Sequence, residues 1–355
     1  MSKVLAVVKN VIVAPETRQL DALAVQLIPW LQVRLPEARH LRIDTLSYPV
    51  GAGRSHETIL FDVSWTAQGQ HVQKELVIRI KPGRHTVFPD DLFEQQYRVM
   101  QAVHEHCAVR VARPLWFEAD PTLVGAPFFM MERVRGRVAV SIPPYAATGW
   151  VFDATPAQRR KMWENGVRQL AAVQSVPLSS VQFLRGPEGA RDGLEQEWEK
   201  YTRFVRWVNP DGKWNALDLA LNRLRDNWPK NQPPGLVWGD ARLGNMMFDA
   251  EFEVVAVMDW EQPSLGGALH DLSWWLYISN MMHGPTPERP HLEGMGTREE
   301  TIALWHECTG IPTDDIEWYE DFTALKLSCT GLRLSQLSGK FGYDPAWLAK
   351  RLKVG

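Results

Sequence analysis

Cysteine is scarce in this 355-residue chain: Cys107, Cys308 and Cys329 are odd in number, far apart and outside any metal-ligand spacing. That argues against a disulfide framework and for a reducing compartment. Long apolar runs are lacking too. Val4 to Val8, ahead of Lys9, is too short for the hydrophobic region of a signal peptide, and no stretch reaches the length of a transmembrane helix. The formal net charge is only −3, so neither nucleic acid nor an anionic membrane is an expected partner. There is no internal repeat and no low-complexity tract. What remains is an ordinary globular composition, 45% hydrophobic and 23% charged, long enough for two lobes with a core each. A cytoplasmic location is the expectation.

The most informative stretch runs from Leu236 to Trp275. An apolar pair breaks at Gly239-Asp240, Asn245 follows Asp240 by five residues, and a second apolar run, Val254 to Met258, ends in Asp259-Trp260-Glu261. Two short strands are thus expected to deliver carboxylates at their ends. D-x-x-x-x-N is the spacing of a kinase catalytic loop, in which the Asp receives the proton of a substrate hydroxyl and the Asn holds Mg²⁺. Turn chemistry alone does not require Asp240, Asn245, Asp259 and Glu261 together.

With those residues in place, the segment resembles the aminoglycoside phosphotransferase-like, or choline kinase-like, small-molecule kinases. The catalytic loop of that family reads HGDxxxxN and its metal strand DxE. Trp238 stands where the family usually has His, and is read as a structural substitution that supplies bulk and one N–H donor. The resemblance implies an α+β, protein kinase-like, two-lobed fold. An N-terminal antiparallel β-sheet lobe with a helix would occupy residues 1–135, and a mainly helical lobe residues 136–355. It further implies Asp240 as catalytic base, Arg242 at a phosphate or a neighbouring carboxylate, Asn245, Asp259 and Glu261 toward the metal, and Asp271 anchoring the loop from behind. The implied cofactors are Mg²⁺ and ATP, with GTP possible, and the implied partner is a small-molecule hydroxyl acceptor.

The first lobe can be followed in order. Leu20, Leu23, Ala24 and Leu27 share a helical face, and Pro29 is expected to end or kink that helix. A strand candidate over 41–48 leads into a turn with Gly51, Gly53 and Ser55, and Ile59, Phe61, Val63 and Trp65 then alternate with polar residues. Strand, glycine turn, strand is the layout of a phosphate-covering loop, and equally of a plain hairpin. In the next strand Leu76, Ile78 and Ile80 lie on one face, and Val77, Arg79 and Lys81 on the other. By position Arg79 takes the place of the kinase lysine that pairs with the phosphates, with Lys81 in reserve. A helix over 91–106 offers Glu94 as the acid to orient that cation, although the family pattern places its acid nearer Gln96. Strands over 109–116 and 127–134 complete the lobe. The second resembles the kinase hinge, with the backbone of Glu132 and Val134 toward adenine.

Beyond Gly136 the pattern is helical. Thr155-Pro156-Ala157-Gln158 and Thr297-Arg298-Glu299-Glu300 are capping boxes. Further helices are expected at 191–208, 214–228, 265–280 and 314–338. The acids Asp314, Asp315, Glu317, Glu320 and Asp321 could hold a cationic acceptor, but Asp314 to Glu317 also reads as an ordinary capping box. Trp305, Trp318 and Tyr319 suggest a more apolar pocket.

Two other readings compete with a kinase. Trp238, Arg79 and Gln96 depart from the family pattern, as they would in a nucleotide-binding, pseudokinase-like module without transfer activity. A metallohydrolase built on Asp259, Glu261, His270 and Asp271 would need several histidines, and one is present there.

Overall fold

The computed structural model describes residues 18–49, 57–83, 86–186, 193–283, 291–339 and 343–355. Gly51, Gly53 and Ser55 therefore lie outside the described residues. The chain divides into two compact units, Met1–Thr86 with Ala112–Val134, and Val87–Val111 with Arg135–Gly355. The elements in order are α1 (Leu20–Arg34), β1 (Arg39–Ser47), β2 (Glu57–Ala67), β3 (Gln70–Ile80), α2 (Phe93–His106), β4 (Pro114–Glu118), β5 (Phe128–Glu132) and β6 (Arg137–Val138). They continue as α3 (Pro156–Ala172), α4 (Leu194–Val208), α5 (Asn215–Asp226), β7 (Met246–Phe248), β8 (Val254–Val257), α6 (Leu269–His283), α7 (Arg298–Thr309), α8 (Ile316–Ser338) and α9 (Pro345–Arg351). An N-terminal antiparallel sheet followed by a helical C-terminal part is the expected fold class. No helix among the described residues is long and apolar enough to cross a membrane.

In the first unit the five-stranded sheet has the order β1-β2-β3-β5-β4, and each neighbouring pair is antiparallel. The period-two pattern decides its faces. Ile59, Phe61, Val63, Leu76, Ile78 and Met130 pack with Leu23, Leu27, Trp30 and Leu31 of α1. Burying each of these large side chains stabilises the unit by roughly 1.5–3 kcal/mol. Arg79 is on the other face, paired with Thr58 and Phe129. Of the two outcomes expected at Pro29, an end to α1 needs correcting, because the helix runs through it to Arg34. Pro29 faces solvent. The turn beyond it is held by burial of Trp30 and Leu31, and by Trp30 Nε1 and Arg34 donating to Glu118 at 2.7 and 3.0 Å.

In the second unit both predicted capping boxes form, at Thr155 with Gln158 and at Thr297 with Glu300, and α7 ends on Gly310 in the left-handed conformation. The Asp314 to Glu317 box does not form. Asp315 precedes α8 at φ 63° with no side-chain cap bond, and its carboxylate instead accepts from the backbone N–H groups of Lys230 and Asn231. Trp305, Trp318 and Tyr319 are buried core residues. Trp318 Nε1 donates to the Leu224 carbonyl, and the Tyr319 hydroxyl to that of Asn231. A small sheet of order β6-β7-β8 flanks the Asp240–Asn245 loop. The expected strand ahead of Asp240 is reduced to an isolated bridge between Val237 and Ser264, and β7 begins only after Asn245.

Candidate active site

The loop between Val237 and β7 is fixed from three directions. Asp271, in the first turn of α6, accepts the Trp238 N–H at 2.6 Å and the Gly239 N–H at 2.9 Å. Gly239 has φ 104°, and a Cβ there would lie 2.7 Å from Gln262, so the turn requires glycine. Trp238 is wholly buried, stacks at 5.7 Å on Trp260 and donates Nε1 to the Met258 carbonyl at 2.8 Å. Its N–H joins the loop to the segment after β8 that carries Asp259. A second tie is the Met258 N–H donating to the Asn245 carbonyl, also at 2.8 Å.

Within this frame the Asp240 carboxylate accepts three hydrogen bonds. Oδ1 takes Trp274 Nε1 at 2.8 Å, while Oδ2 takes Asn245 Nδ2 at 2.6 Å and Arg242 Nε at 3.0 Å. Charge-assisted bonds of this kind are about twice as strong as neutral ones. Together they fix the plane of a carboxylate whose side chain remains one quarter exposed, at 25%. Arg242 is itself held by Ser141 Oγ at 2.8 Å. Burial works against its charge, but Asp240, with Asp259 and Tyr145 behind it, raises the guanidinium above its ordinary value.

Asp271 is 1% exposed, and this burial raises its carboxyl to about 6 against the opposing pull of the Trp238 and Gly239 N–H groups. Lys326 also favours its ionised form. Lys326 belongs to a buried polar cluster behind the loop, donating to Glu197 Oε2 at 2.8 Å and meeting His270 Nδ1 at 3.1 Å. Lys200 lies 3.6 Å from Glu197 and donates to the Gln262 carbonyl.

The remaining sequence-predicted residues are spread over both units. Asp259 is at φ 63°, a conformation disfavoured for a side chain with a Cβ and often retained at functional positions. Among the described residues no three His, Cys, Asp or Glu side chains gather as a metal cluster. Asn245 and Asp259 nonetheless suit a hard cation. The donor end of the Asn245 amide is engaged by Asp240, so a cation would meet its oxygen, and Mg²⁺ takes one or two protein oxygens with phosphate and water completing the shell. Glu261, two residues on, is partly buried. Glu94 points to solvent in a 3.8 Å pair with Arg98, whereas Gln96 is fully buried and its amide has no partner among the described residues. In the first unit the Glu132 N–H donates to the Arg113 carbonyl at 2.9 Å, and Val134 follows the end of β5.

Sequence reasoning missed Trp274 and Ser141, and with them the cluster around Glu197. One signal was available for the cluster: Glu197, Lys200 and Lys326 sit at helical spacing among apolar residues that face a core.

An antiparallel sheet unit, a helical unit, and an Asp–Asn loop braced by a buried Asp define the class of protein kinase-like phosphotransferases. The chain belongs to the phosphotransferase enzyme family, whose profile matches residues 49–310. Among solved structures it is similar to an aminoglycoside phosphotransferase-like protein of Ralstonia eutropha, with TM-score 0.65, 24% identity, and coverage of 93% of this chain and 94% of that one. It is also similar to amicoumacin kinase hAmiN, solved with AMP-PNP, Ca²⁺ and Ami, with TM-score 0.56, 13% identity and 92% of each chain covered. Among curated proteins it is 24% identical over 272 residues to the acyl-CoA dehydrogenase IBR3 of Arabidopsis thaliana, spanning 74% of this chain. The match covers only 30% of that relative's length.

Proposed function

We propose that this phosphotransferase moves the γ-phosphoryl group of ATP to a hydroxyl of a small molecule, with Mg²⁺. The observation that carries the reading is the Asp240 carboxylate, oriented by three donors and still partly open. In a loose phosphoryl-transfer transition state the protein contributes mainly position and charge. Asp240 aligns the acceptor hydroxyl and takes its proton as the O–P bond forms. Arg242 keeps that carboxylate in place and adds positive charge. Asn245 and Asp259 would hold the metal, with Glu261 beside them, and Mg²⁺ when bound neutralises the nucleotide phosphates. Arg79 and the turn with Gly51, Gly53 and Ser55 complete the phosphate contacts in this proposal, and Val134 with Glu132 faces adenine. Because the Glu132 N–H is already engaged within the sheet, Glu132 would serve through its carbonyl.

The acceptor proposed is a hydroxylated acyl thioester rather than a polycation. Two of the three acids of α8 are taken by internal partners: Glu320 by Arg298 at 2.6 Å, and Asp321 by Arg223 at 2.9 Å and Lys353 at 2.6 Å. In the Arabidopsis relative the matching region lies within a longer chain named for acyl-CoA chemistry.

A second reading, nucleotide binding without transfer, is favoured by α2, where Gln96 occupies the place of the expected acid and Glu94 faces solvent. Calorimetric titration of ATP with and without Mg²⁺ tests the metal–nucleotide site, with Asp259→Ala as control. Tighter binding with Mg²⁺ that is lost in Asp259→Ala supports a working site, and Mg²⁺-independent binding refutes it. Acceptor-dependent ADP production then decides between transfer and binding alone.

A further inference from the structure

The first unit contains a cavity of about 270 Å³ that the phosphotransfer reading does not use. It lies on the α1-covered side of the sheet, because it is lined by Trp65 and Leu76, both members of that core. Arg79 is on the opposite face. Leu35 and Trp116 add further apolar wall, and Lys74 and Arg113 are the two cations of the lining.

Two observations make it more than a packing defect. Trp65 is only 5% exposed, yet its indole N–H has no acceptor among the described residues. A buried donor left this way costs about 1–3 kcal/mol, and native structures seldom retain one without a reason. The second is the state of the cations. Lys74 and Arg113 are each about half exposed and share one anionic oxygen, Glu132 Oε1, at 3.7 and 3.9 Å, beyond hydrogen-bonding distance. Two positive groups thus border an aromatic and aliphatic hollow with one distant carboxylate between them, and one of its walls, Trp65, carries an N–H without an acceptor among the described residues.

We infer that this cavity is a second ligand site, which takes a small amphipathic carboxylate with its apolar body against Trp65, Trp116, Leu35 and Leu76 and its anionic head at Lys74 and Arg113. The volume is slightly below the roughly 300–1,000 Å³ typical of drug-sized pockets, and so suits a fragment rather than a nucleotide. Aromatic walls with a few convergent polar groups are the usual make-up of such a site. The ligand's carboxylate competes with Glu132 for the same cations and gains charge-assisted hydrogen bonds that Glu132 does not make. Neutral molecules of the same shape lack that gain.

The test uses the full chain with ¹⁵N-labelled tryptophan, titrated with 4-phenylbutyrate and, separately, with the uncharged 4-phenylbutanol. The resonance missing from Trp65→Phe identifies the Trp65 indole N–H. The expected result is a saturable downfield movement of that resonance with the carboxylate, the alcohol binding about tenfold more weakly. Lys74→Ala combined with Arg113→Ala should weaken carboxylate binding by about tenfold. The thermal unfolding midpoint of that variant, and its weak affinity for the alcohol, should stay unchanged. No saturable movement, equal affinity for acid and alcohol, or full binding by the folded double variant would each overturn the proposal.

Discussion

Replacing Asp271 with Asn separates two things the carboxylate does at once. Its burial is unfavourable: raising the carboxyl from 3.8 to about 6 means that holding the charge inside costs about 3 kcal/mol at neutral pH. Because the folded value is the higher one, the group's contribution to stability is fully present below pH 3.8 and is lost as pH rises through 6. The carboxylate also receives two N–H groups, from Trp238 and Gly239. A carboxamide offers one oxygen, so one of those donors would face an NH₂ group and be left unsatisfied, costing about 1–3 kcal/mol. The gain and the loss nearly cancel. Asp271→Asn should therefore unfold in urea at pH 7.5 with a stability within about 2 kcal/mol of the parent. Unlike the parent, it should gain nothing from this position between pH 7 and pH 5. The loop should nevertheless loosen, and hydrogen exchange at the Trp238 and Gly239 amides should accelerate by about 10- to 100-fold. A loss above about 4 kcal/mol at pH 7.5 would show that the buried charge is net stabilising and refute the burial argument. Unchanged amide protection would show that Asp271 does not hold the loop.

Trp274→Phe removes the donor to Asp240 Oδ1 while keeping the ring, and should lower Mg²⁺-dependent turnover by about tenfold or more with little change in melting temperature. Turnover within threefold of the parent would remove Trp274 from the site. Lys326→Met should cost about 3–5 kcal/mol in denaturant unfolding, since Glu197 would keep a buried charge with its closest cation gone and Lys200 3.6 Å away. Adding Glu197→Gln should restore part of that loss, and simple additivity of the two changes would count against the pair. Burial, helped by His291, lowers His283 to about 4, so its contribution to stability is present above pH 6.5 and is lost as pH falls toward 4. Between pH 7 and pH 5 this amounts to about 2 kcal/mol, a slope that His283→Gln should abolish and that two denaturation curves per protein would measure.

The parts of the site legible in the sequence are those whose contacts are local or repeat a period. Asn245 bonds Asp240 across five residues, so the spacing itself records the contact. The alternation of β3 likewise placed Arg79 away from the core. Trp274 reaches Asp240 across 34 residues, Arg242 reaches Ser141 across 101, and Lys326 reaches Glu197 across 129. No local pattern encodes such pairs, since they arise only once the helices have packed. Where local rules failed, a tertiary contact prevailed. Asp315 is drawn to the backbone of Lys230 and Asn231 in place of capping its own helix. Similarly, the burial of Trp30 and Leu31 carries α1 past Pro29.

The indole of Trp238 has a mechanical consequence. Its ring is clamped against Trp260, and its N–H grips the carbonyl of Met258, the residue just before Asp259. The segment bearing Asp240 and the segment bearing Asp259 are therefore tied through this side chain, alongside the bond from the Met258 N–H to the Asn245 carbonyl. A tilt of one drags the other along, so their separation resists thermal motion even if the surrounding loops breathe. Damage at position 238 should accordingly loosen both segments in step, and no change at Asp240 or Asp259 alone would reproduce it.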